Sequence, residues 1–410
     1  MPKLLIVADD LTGALDTGVK FSEAGLATRF LTDWKCDLTE ETADVVVLCA
    51  PTRHLPQNQA YEIIRDIVGR NADRFPYIMK KTDSGLRGNV GVELQAVLDG
   101  TGAKVLTFFP ALPEMKRTTS GGVQYIDGVP VSKSEFGSDP FEPVLDDDIP
   151  SLLRRQCRAA VRVVPEGGVP DVPKAPAEGM ILVCDATSAE ALRQSVSSAY
   201  EQGTMRATAG CAGLAKALAN ELAGKISSEE VSVAKQPLLV VCGSVNRIST
   251  AQLDYAERNG FERVHVQPAF LLNEDPVDGG ENKAFFTKIL AACQTHRPVI
   301  IDTISPMGSA LLEGKTELPL EMLRQRISQR LGRMIQALLH RGVERRVMII
   351  GGDTLSAFID AIGCRTIFPL REIDQGVVLS RFAYNGKNYQ ILSKSGGFGG
   401  EELLVKIGKQ

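Results

Sequence analysis

Histidine is scarce in this chain: 410 residues hold four, at 54, 265, 296 and 340, and no two stand four apart. A zinc site built on a helical histidine pair is therefore not expected. The eight cysteines, at 36, 49, 157, 184, 211, 242, 293 and 364, include no C-x-x-C spacing. Several sit inside apolar runs such as Val240-Val241-Cys242, where a thiol behaves as a small hydrophobe. Reduced core thiols are expected rather than a disulfide framework. No apolar run approaches the roughly 18 residues of a helical membrane span. Positive charge is not in excess either, with 46 Lys+Arg against 50 Asp+Glu and a net charge of -4. A broad nucleic-acid or anionic-membrane surface is thus not expected. Two phosphate-binding signatures are also missing. There is no G-x-x-x-x-G-K-[ST] loop, and no G-x-G-x-x-G follows the first strand, which weighs against a nicotinamide dehydrogenase.

What is present is ordinary for a globular protein: 44% hydrophobic and 23% charged residues. The length allows about two to three domains. The start, Met1-Pro2-Lys3-Leu4-Leu5-Ile6-Val7-Ala8-Asp9-Asp10, has too short an apolar run for a signal peptide and reads as a first β-strand, so a cytoplasmic protein is expected. Short Val/Ile-rich runs recur at 4–8, 27–31, 45–50, 77–81, 105–109 and 181–185, then at 238–242, 263–266, 299–302, 347–351 and 376–381. Helical patterns separate them, at 13–24, 59–70, 90–98, 189–202, 212–223, 249–259, 283–295 and 320–340. This alternation predicts an α/β chain with mainly parallel sheets. The polar segment 225–236 divides the chain into expected domains at 1–225 and 237–410. The stretch 110–150 is dense in Gly, Pro, Ser and Asp and reads as a long irregular loop, while 165–176 reads as an ordinary exposed one.

Five segments carry candidate chemistry. Asp9-Asp10-Leu11-Thr12-Gly13 follows a buried strand, where open α/β sheets bind ligands. Two adjacent carboxylates there can orient a hydroxyl, take its proton or hold a metal; Thr12 is placed to cap the next helix, and capping is also the plain structural alternative for Asp9 and Asp10. Lys80-Lys81-Thr82-Asp83-Ser84-Gly85-Leu86-Arg87-Gly88-Asn89 packs cations and hydroxyls as a small carboxylate would require. Arg53 ends a further strand and adds a cation. Ser244, after Gly243, lies in a strand-to-helix turn suited to phosphate. Gly351-Gly352-Asp353-Thr354 and Lys394-Ser395-Gly396-Gly397 put paired glycines where backbone can approach a ligand. Thr354 is expected to cap the helix that follows, and Lys394 has the setting of a polyphosphate cradle. Acid-binding groups in one half and phosphate loops in the other imply phosphoryl transfer, with the active site in an interdomain cleft. A phosphatase or dehydrogenase on hydroxy acids, and a non-catalytic nucleotide sensor, remain as alternatives.

Taken together and in order, these motifs resemble the four-carbon acid sugar kinase family. The loop Arg117-Thr118-Thr119-x-Gly121-Gly122, then Gly128-Val129-Pro130 and Asp139-Pro140, is similar too. The resemblance implies an ATP- and Mg²⁺-dependent kinase that converts threonate, erythronate or a 3-oxo-tetronate to its 4-phosphate. It implies that Asp10, Arg53, Lys81, Thr82, Asp83 and Ser84 hold the acid, with Asp9, Asp10, Lys81 and Arg87 at the chemistry. Ser244, Gly351, Gly352, Asp353, Thr354, Lys394, Gly396 and Gly397 would hold ATP. No metal ligands are assigned. The form Lys-Thr-Asp-Ser-x-Leu-Arg-Gly-Asn looks closer to threonate and erythronate kinases than to the oxo-tetronate branch. Two departures stand near the acid site: 110–116 replaces an expected small-residue stretch, and Gly85 replaces an expected hydroxyl residue. A homodimer is expected only because such assemblies are common.

Overall fold

The structure, a computed structural model, describes residues 2–138, 143–168, 177–223, 235–304 and 319–410. Asp139-Pro140, the part 169–176 of the expected exposed loop, and the expected linker up to residue 234 lie outside them. The chain divides into two compact units, residues 1–229 and 230–410.

The first unit runs β1 (Leu4–Ala8), α1 (Leu11–Glu23), β2 (Thr28–Leu31), β3 (Val45–Cys49), α2 (Gln57–Asn71), β4 (Tyr77–Lys81), α3 (Val90–Thr101) and β5 (Val105–Phe109). It continues through β6 (Arg117–Ser120), β7 (Val123–Ile126), β8 (Val129–Pro130), α4 (Ile149–Gln156), β9 (Ala160–Val164), β10 (Met180–Cys184), α5 (Ala189–Glu201), β11 (Ala207–Gly210) and α6 (Ala212–Ala223). Its strands lie in the order β2-β3-β1-β4-β11-β5-β10-β9, every pair parallel. Helices on both faces explain why β1 and β10 are buried at all five positions and read as unbroken apolar runs. From β1 the chain moves to one side, and from β4 to the other. These strands are neighbours, so the sheet's topological switch point falls between them. Ala8 is in register with both Cys49 and Lys81, which brings the three following loops to one level.

The segment expected as an irregular loop is instead a small antiparallel sheet, β6-β7-β8, followed by α4. Short strands with polar alternation and tight Gly turns carry little signal of their own. The sheet is anchored by Asp185, whose carboxylate accepts from the Gly121 and Gly122 amides at 2.7 and 2.9 Å.

The second unit runs β12 (Leu238–Cys242), α7 (Arg247–Arg258), β13 (Glu262–His265), α8 (Pro268–Leu272), α9 (Lys283–Cys293), β14 (Val299–Asp302) and α10 (Leu320–His340). It ends with β15 (Arg346–Ile350), α11 (Gly352–Ala361), β16 (Thr366–Asp374), β17 (Val377–Tyr384), β18 (Lys387–Lys394) and α12 (Leu403–Gly408). The order is β13-β14-β12-β15-β18-β17-β16, parallel from β13 to β18 and antiparallel through β17 and β16. Here the chain leaves β12 toward one side and β15 toward the other, so these neighbouring strands form a second switch point. Cys242, Ile350 and Lys394 end their strands at one level. Lys394, expected in a glycine loop, is thus the last residue of a strand.

All eight cysteines are free thiols, five of them buried. No helix among the described residues is long and apolar enough to cross a membrane.

Candidate active site

At the first switch point the carboxylates of Asp9 and Asp10 meet the guanidinium of Arg53. Arg53 donates through Nε and Nη2 to the two oxygens of Asp9, at 2.7 and 3.1 Å, and through Nη2 to Asp10 at 2.9 Å. Of the candidate caps, Asp10 rather than Thr12 caps α1. Its backbone is extended (φ -146°, ψ 153°) and its Oδ2 accepts from the Gly13 amide, as the first free donors of a helix require. Thr12 lies in the first turn and donates its hydroxyl to Asp10 Oδ2 at 2.8 Å. The two carboxylates differ in access: the Asp9 side chain is 3% exposed and that of Asp10 22%. Burial alone would raise both carboxyls. Arg53, Lys80 and Lys81 outweigh it at Asp9, and Arg53 and Lys81 at Asp10, so both are held below the usual carboxylate range.

The loop after β4 completes the cluster. Asp83 receives a two-pronged donation from Arg87, with Nε to Oδ2 and Nη2 to Oδ1 both at 3.0 Å, and accepts from the Gly85 amide. Burial opposes ionisation of Asp83, but Arg87 and Arg53 prevail and its carboxyl lies well below the usual range. Lys81 is 5% exposed. No carboxylate lies within ion-pair distance of its ammonium among the described residues. The Thr82 hydroxyl is buried with no hydrogen-bond partner among them. Ser84 accepts from Arg117 Nη1. Thus Asp9, Asp10, Arg53, Lys81, Thr82, Asp83, Ser84 and Arg87 lie at the ends of the neighbouring strands β1, β3 and β4.

Glu93 and Thr52 escape a reading of the sequence, and so do the partners that Lys80 and Asn89 of the quoted motif take. Lys80 is fully buried and pairs with Glu93 of α3 at 3.0 Å, while Thr52 donates to the same carboxylate. Burial pushes the Glu93 carboxyl up, and Lys80 offsets this only in part. The Asn89 amide gathers the carbonyls of Thr52 and Leu55, both at 2.9 Å, and so holds the Arg53 loop. Neither signal is periodic, because each joins elements far apart in the chain. Lys80→Met should leave Glu93 as a buried, unmatched acid and cost about 3–5 kcal/mol of stability. Lys80→Met combined with Glu93→Leu should recover most of it. Urea denaturation checks this, and a single variant as stable as the native protein would refute it.

Phe136 explains one departure noted in the sequence. A β-carbon on Gly85 would sit 2.4 Å from the Phe136 ring, which fills the space a hydroxyl side chain would occupy. Arg87 and Arg117 both stack on that ring, 5.1 Å from its centre.

The second unit gathers its expected residues at its own switch point. Gly351 takes φ 113° at the start of α11, a conformation that side-chained residues rarely adopt. That puts the helix start at Gly352 and places the expected cap, Thr354, in the first turn, where it is buried. The Gly351 amide donates to the Lys394 carbonyl at 3.1 Å, and the Gly243 amide to that of Ile350 at 3.1 Å. Ser244 Oγ lies over Gly396, 2.4 Å from where a β-carbon would stand. Lys394 is fully buried, and its ammonium donates to the carbonyls of Ser395 and Gly396 at 2.9 and 3.2 Å. Asp353 turns outward and pairs with Arg324 at 3.5 Å. The helix expected from 249 begins at Arg247, capped by Asn246 accepting from the Ile248 amide. Ser249 and Gln252, which sequence reading did not single out, are fully buried on its inner face.

Residues 4–218 match the family model "Sugar-binding N-terminal domain" and residues 239–404 match "Nucleotide-binding C-terminal domain". The chain is 28% identical to a D-threonate kinase of Salmonella typhimurium over 98% of its own length and 96% of the relative's. It is 28% identical to a 3-oxo-tetronate kinase of Methylobacterium radiotolerans (97% and 96% covered) and 26% identical to a D-erythronate kinase of Heliobacterium modesticaldum (86% and 82% covered). Solved structures share the fold: a Salmonella typhimurium LT2 protein at TM-score 0.80 and 21% identity, with 99% of each chain covered, and Haemophilus influenzae protein HI1011 at 0.71 and 20%, with 98% of each covered. With both domains matched in order along nearly its whole length, the chain belongs to the four-carbon acid sugar kinase family.

Proposed function

We propose that this protein is an ATP-dependent kinase that phosphorylates the terminal hydroxyl of a four-carbon sugar acid, D-threonate or D-erythronate, to give the 4-phosphate. The observation that carries this reading is Lys81, a buried ammonium with no carboxylate partner among the described residues, set beside the accessible carboxylate of Asp10. Such a pair suits a substrate that brings one negative charge and one hydroxyl. Lys81, with Arg53 and Arg87, would compensate the acid; Thr82, Asp83 and Ser84 would bond its other hydroxyls.

Asp10 would accept the terminal O–H and so aim its oxygen at the γ-phosphorus of ATP. As the new O–P bond forms, the bond to the β–γ bridging oxygen breaks, ADP leaves, and the proton passes to Asp10. A carboxyl held this low is a weak base, so its main work is orientation, in keeping with a loose phosphoryl-transfer transition state.

The residues of the second unit fit a nucleotide. A buried cation without a carboxylate partner among the described residues and close-packed glycine backbone stand at a switch point, and Ser244, Gly351 to Thr354, Lys394, Gly396 and Gly397 would receive its phosphates. Mg²⁺ commonly binds through nucleotide phosphates with one or two carboxylates, and would supply charge neutralisation there. The test is ADP release from MgATP with D-threonate, D-erythronate and 3-oxo-tetronate supplied separately. Turnover of either tetronate supports the proposal. Preference for the oxo acid reassigns the substrate, and no acid-dependent ADP with any of them refutes the kinase.

A further inference from the structure

The loop after β18 has its carbonyls turned one way. Gln252 Nε2, on α7, donates to the carbonyls of Phe398, Gly399 and Gly400 at 2.9, 2.9 and 3.0 Å. Ser249 Oγ donates to the Gly396 carbonyl at 2.8 Å, and Lys394 Nζ to those of Ser395 and Gly396. Five successive or near-successive carbonyls thus point into the protein. In a trans peptide the N–H points opposite to its C=O, so the amides of Gly396, Gly397, Gly399 and Gly400 face the other way. None of these four amides donates to a protein acceptor among the described residues. A run of such amides forms an anion-binding concavity.

Gln252 is the unusual member of the set. It is fully buried, yet its Oε1 has no hydrogen-bond partner among the described residues. A helix face made of Ser249, Gln252, Leu253 and Ala256 would pack as well with Leu at that position. Turning the amide over would not help, since it would set Oε1 against three carbonyls. The group is therefore held by what its NH₂ does for the loop.

Resting on the nucleotide reading above, we infer that Gln252 is a positioning residue: it fixes the peptide orientations of the 396–400 loop so that their amides receive nucleotide phosphate. It touches no phosphate itself. Without its donation the glycine peptides are free to rotate, and the concavity is no longer pre-formed.

The experiment is ATP and ADP binding to the full chain by calorimetry, without acid substrate, for the native protein, Gln252→Leu and Gln252→Glu, with thermal midpoints recorded alongside. Gln252→Leu should weaken nucleotide binding by about tenfold or more, as expected for loss of several buried donations. In kinetic assays it should raise the KM for ATP while that for the acid stays within about twofold. Gln252→Glu should bind poorly at pH 8, where an ionised carboxylate faces three carbonyls. It should recover in part at pH 5.5, where the protonated acid donates again; the native protein should show no such recovery. Variants that bind as the native protein does, with only a lowered thermal midpoint, overturn the inference and leave the nucleotide reading standing. A native protein that binds neither nucleotide overturns both.

Discussion

Asp10→Asn should lower acid-dependent turnover by about two or more powers of ten while the protein stays folded. The substitution is nearly isosteric, and Asn serves as an N-cap about as well as Asp, so its oxygen can still accept from the Gly13 amide and the Thr12 hydroxyl. What is lost is an acceptor for Arg53 Nη2 and the negative charge that, in the proposed mechanism, aims the substrate hydroxyl and takes its proton. Asp9 behaves differently although it is the adjacent residue. It is nearly inaccessible and is committed to Arg53 through both oxygens, so Asp9→Ala should leave Arg53 Nε without its acceptor while Nη2 keeps Asp10, and cost about 1.5–3 kcal/mol of stability. The pair thus divides into an inner residue locked to Arg53 and an outer one that solvent reaches. Asp9, Asp10 and Asp83 all have carboxyls lowered from 3.8 by their cation partners despite burial. The stability they contribute is present above that value and is lost as pH falls through their lower folded values. Turnover should accordingly show no acid limb from Asp10 between pH 5 and 8. Kinetics with circular dichroism check both statements: near-native turnover of Asp10→Asn excludes Asp10 from the chemistry.

Lys394→Met should move stability and nucleotide binding in opposite directions. The Lys394 ammonium is lowered from 10.5 to about 8, because burial disfavours its charged form. The unfolded chain therefore binds more protons between pH 8 and 10.5, and this lysine makes stability rise with pH across that window; below pH 8 the burial cost is present in full. That cost is about 3 kcal/mol, offset in part by charged donations to the Ser395 and Gly396 carbonyls. Methionine keeps much of the volume without the charge. At pH 7 the variant should melt at the native midpoint or above it, and any excess should shrink toward pH 10. ATP affinity should nevertheless fall by about tenfold or more, since the loop loses two carbonyl anchors and phosphate loses a nearby cation. Thermal melts at pH 7 and 10 with calorimetric ATP binding decide it. A destabilised variant that binds ATP normally would make Lys394 a purely structural residue.

Much of the architecture was legible because buried parallel strands advertise themselves. Leu4–Ala8, Tyr77–Lys81 and Leu238–Cys242 are short apolar runs with abrupt polar ends, and they form strands with those limits. Less legible strands failed for distinct reasons. Ala207–Gly210 is made of small residues with little strand preference, and is extended because β4 and β5 sandwich it. Lys387–Lys394 begins polar and half-exposed and becomes buried only in its second half. The caps lie two and three positions before Thr12 and Thr354, whose side chains suit the role, because the deciding factors are the extended backbone of Asp10 and the positive φ of Gly351.

The order of apolar and polar residues alone determined an α/β chain of alternating strands and helices, with paired carboxylates and clustered cations early and glycine-rich turns late. Local spacing suffices for that, since each motif stands directly after its own strand. Which carboxylate is reachable, which lysine lacks a carboxylate partner among the described residues, and that Gln252 bonds the 396–400 loop, Glu93 pairs with Lys80 and Phe136 packs on Gly85 were decided by tertiary structure. Those properties depend on contacts between segments distant in the chain, and on how far each contact removes a charge or an amide from water.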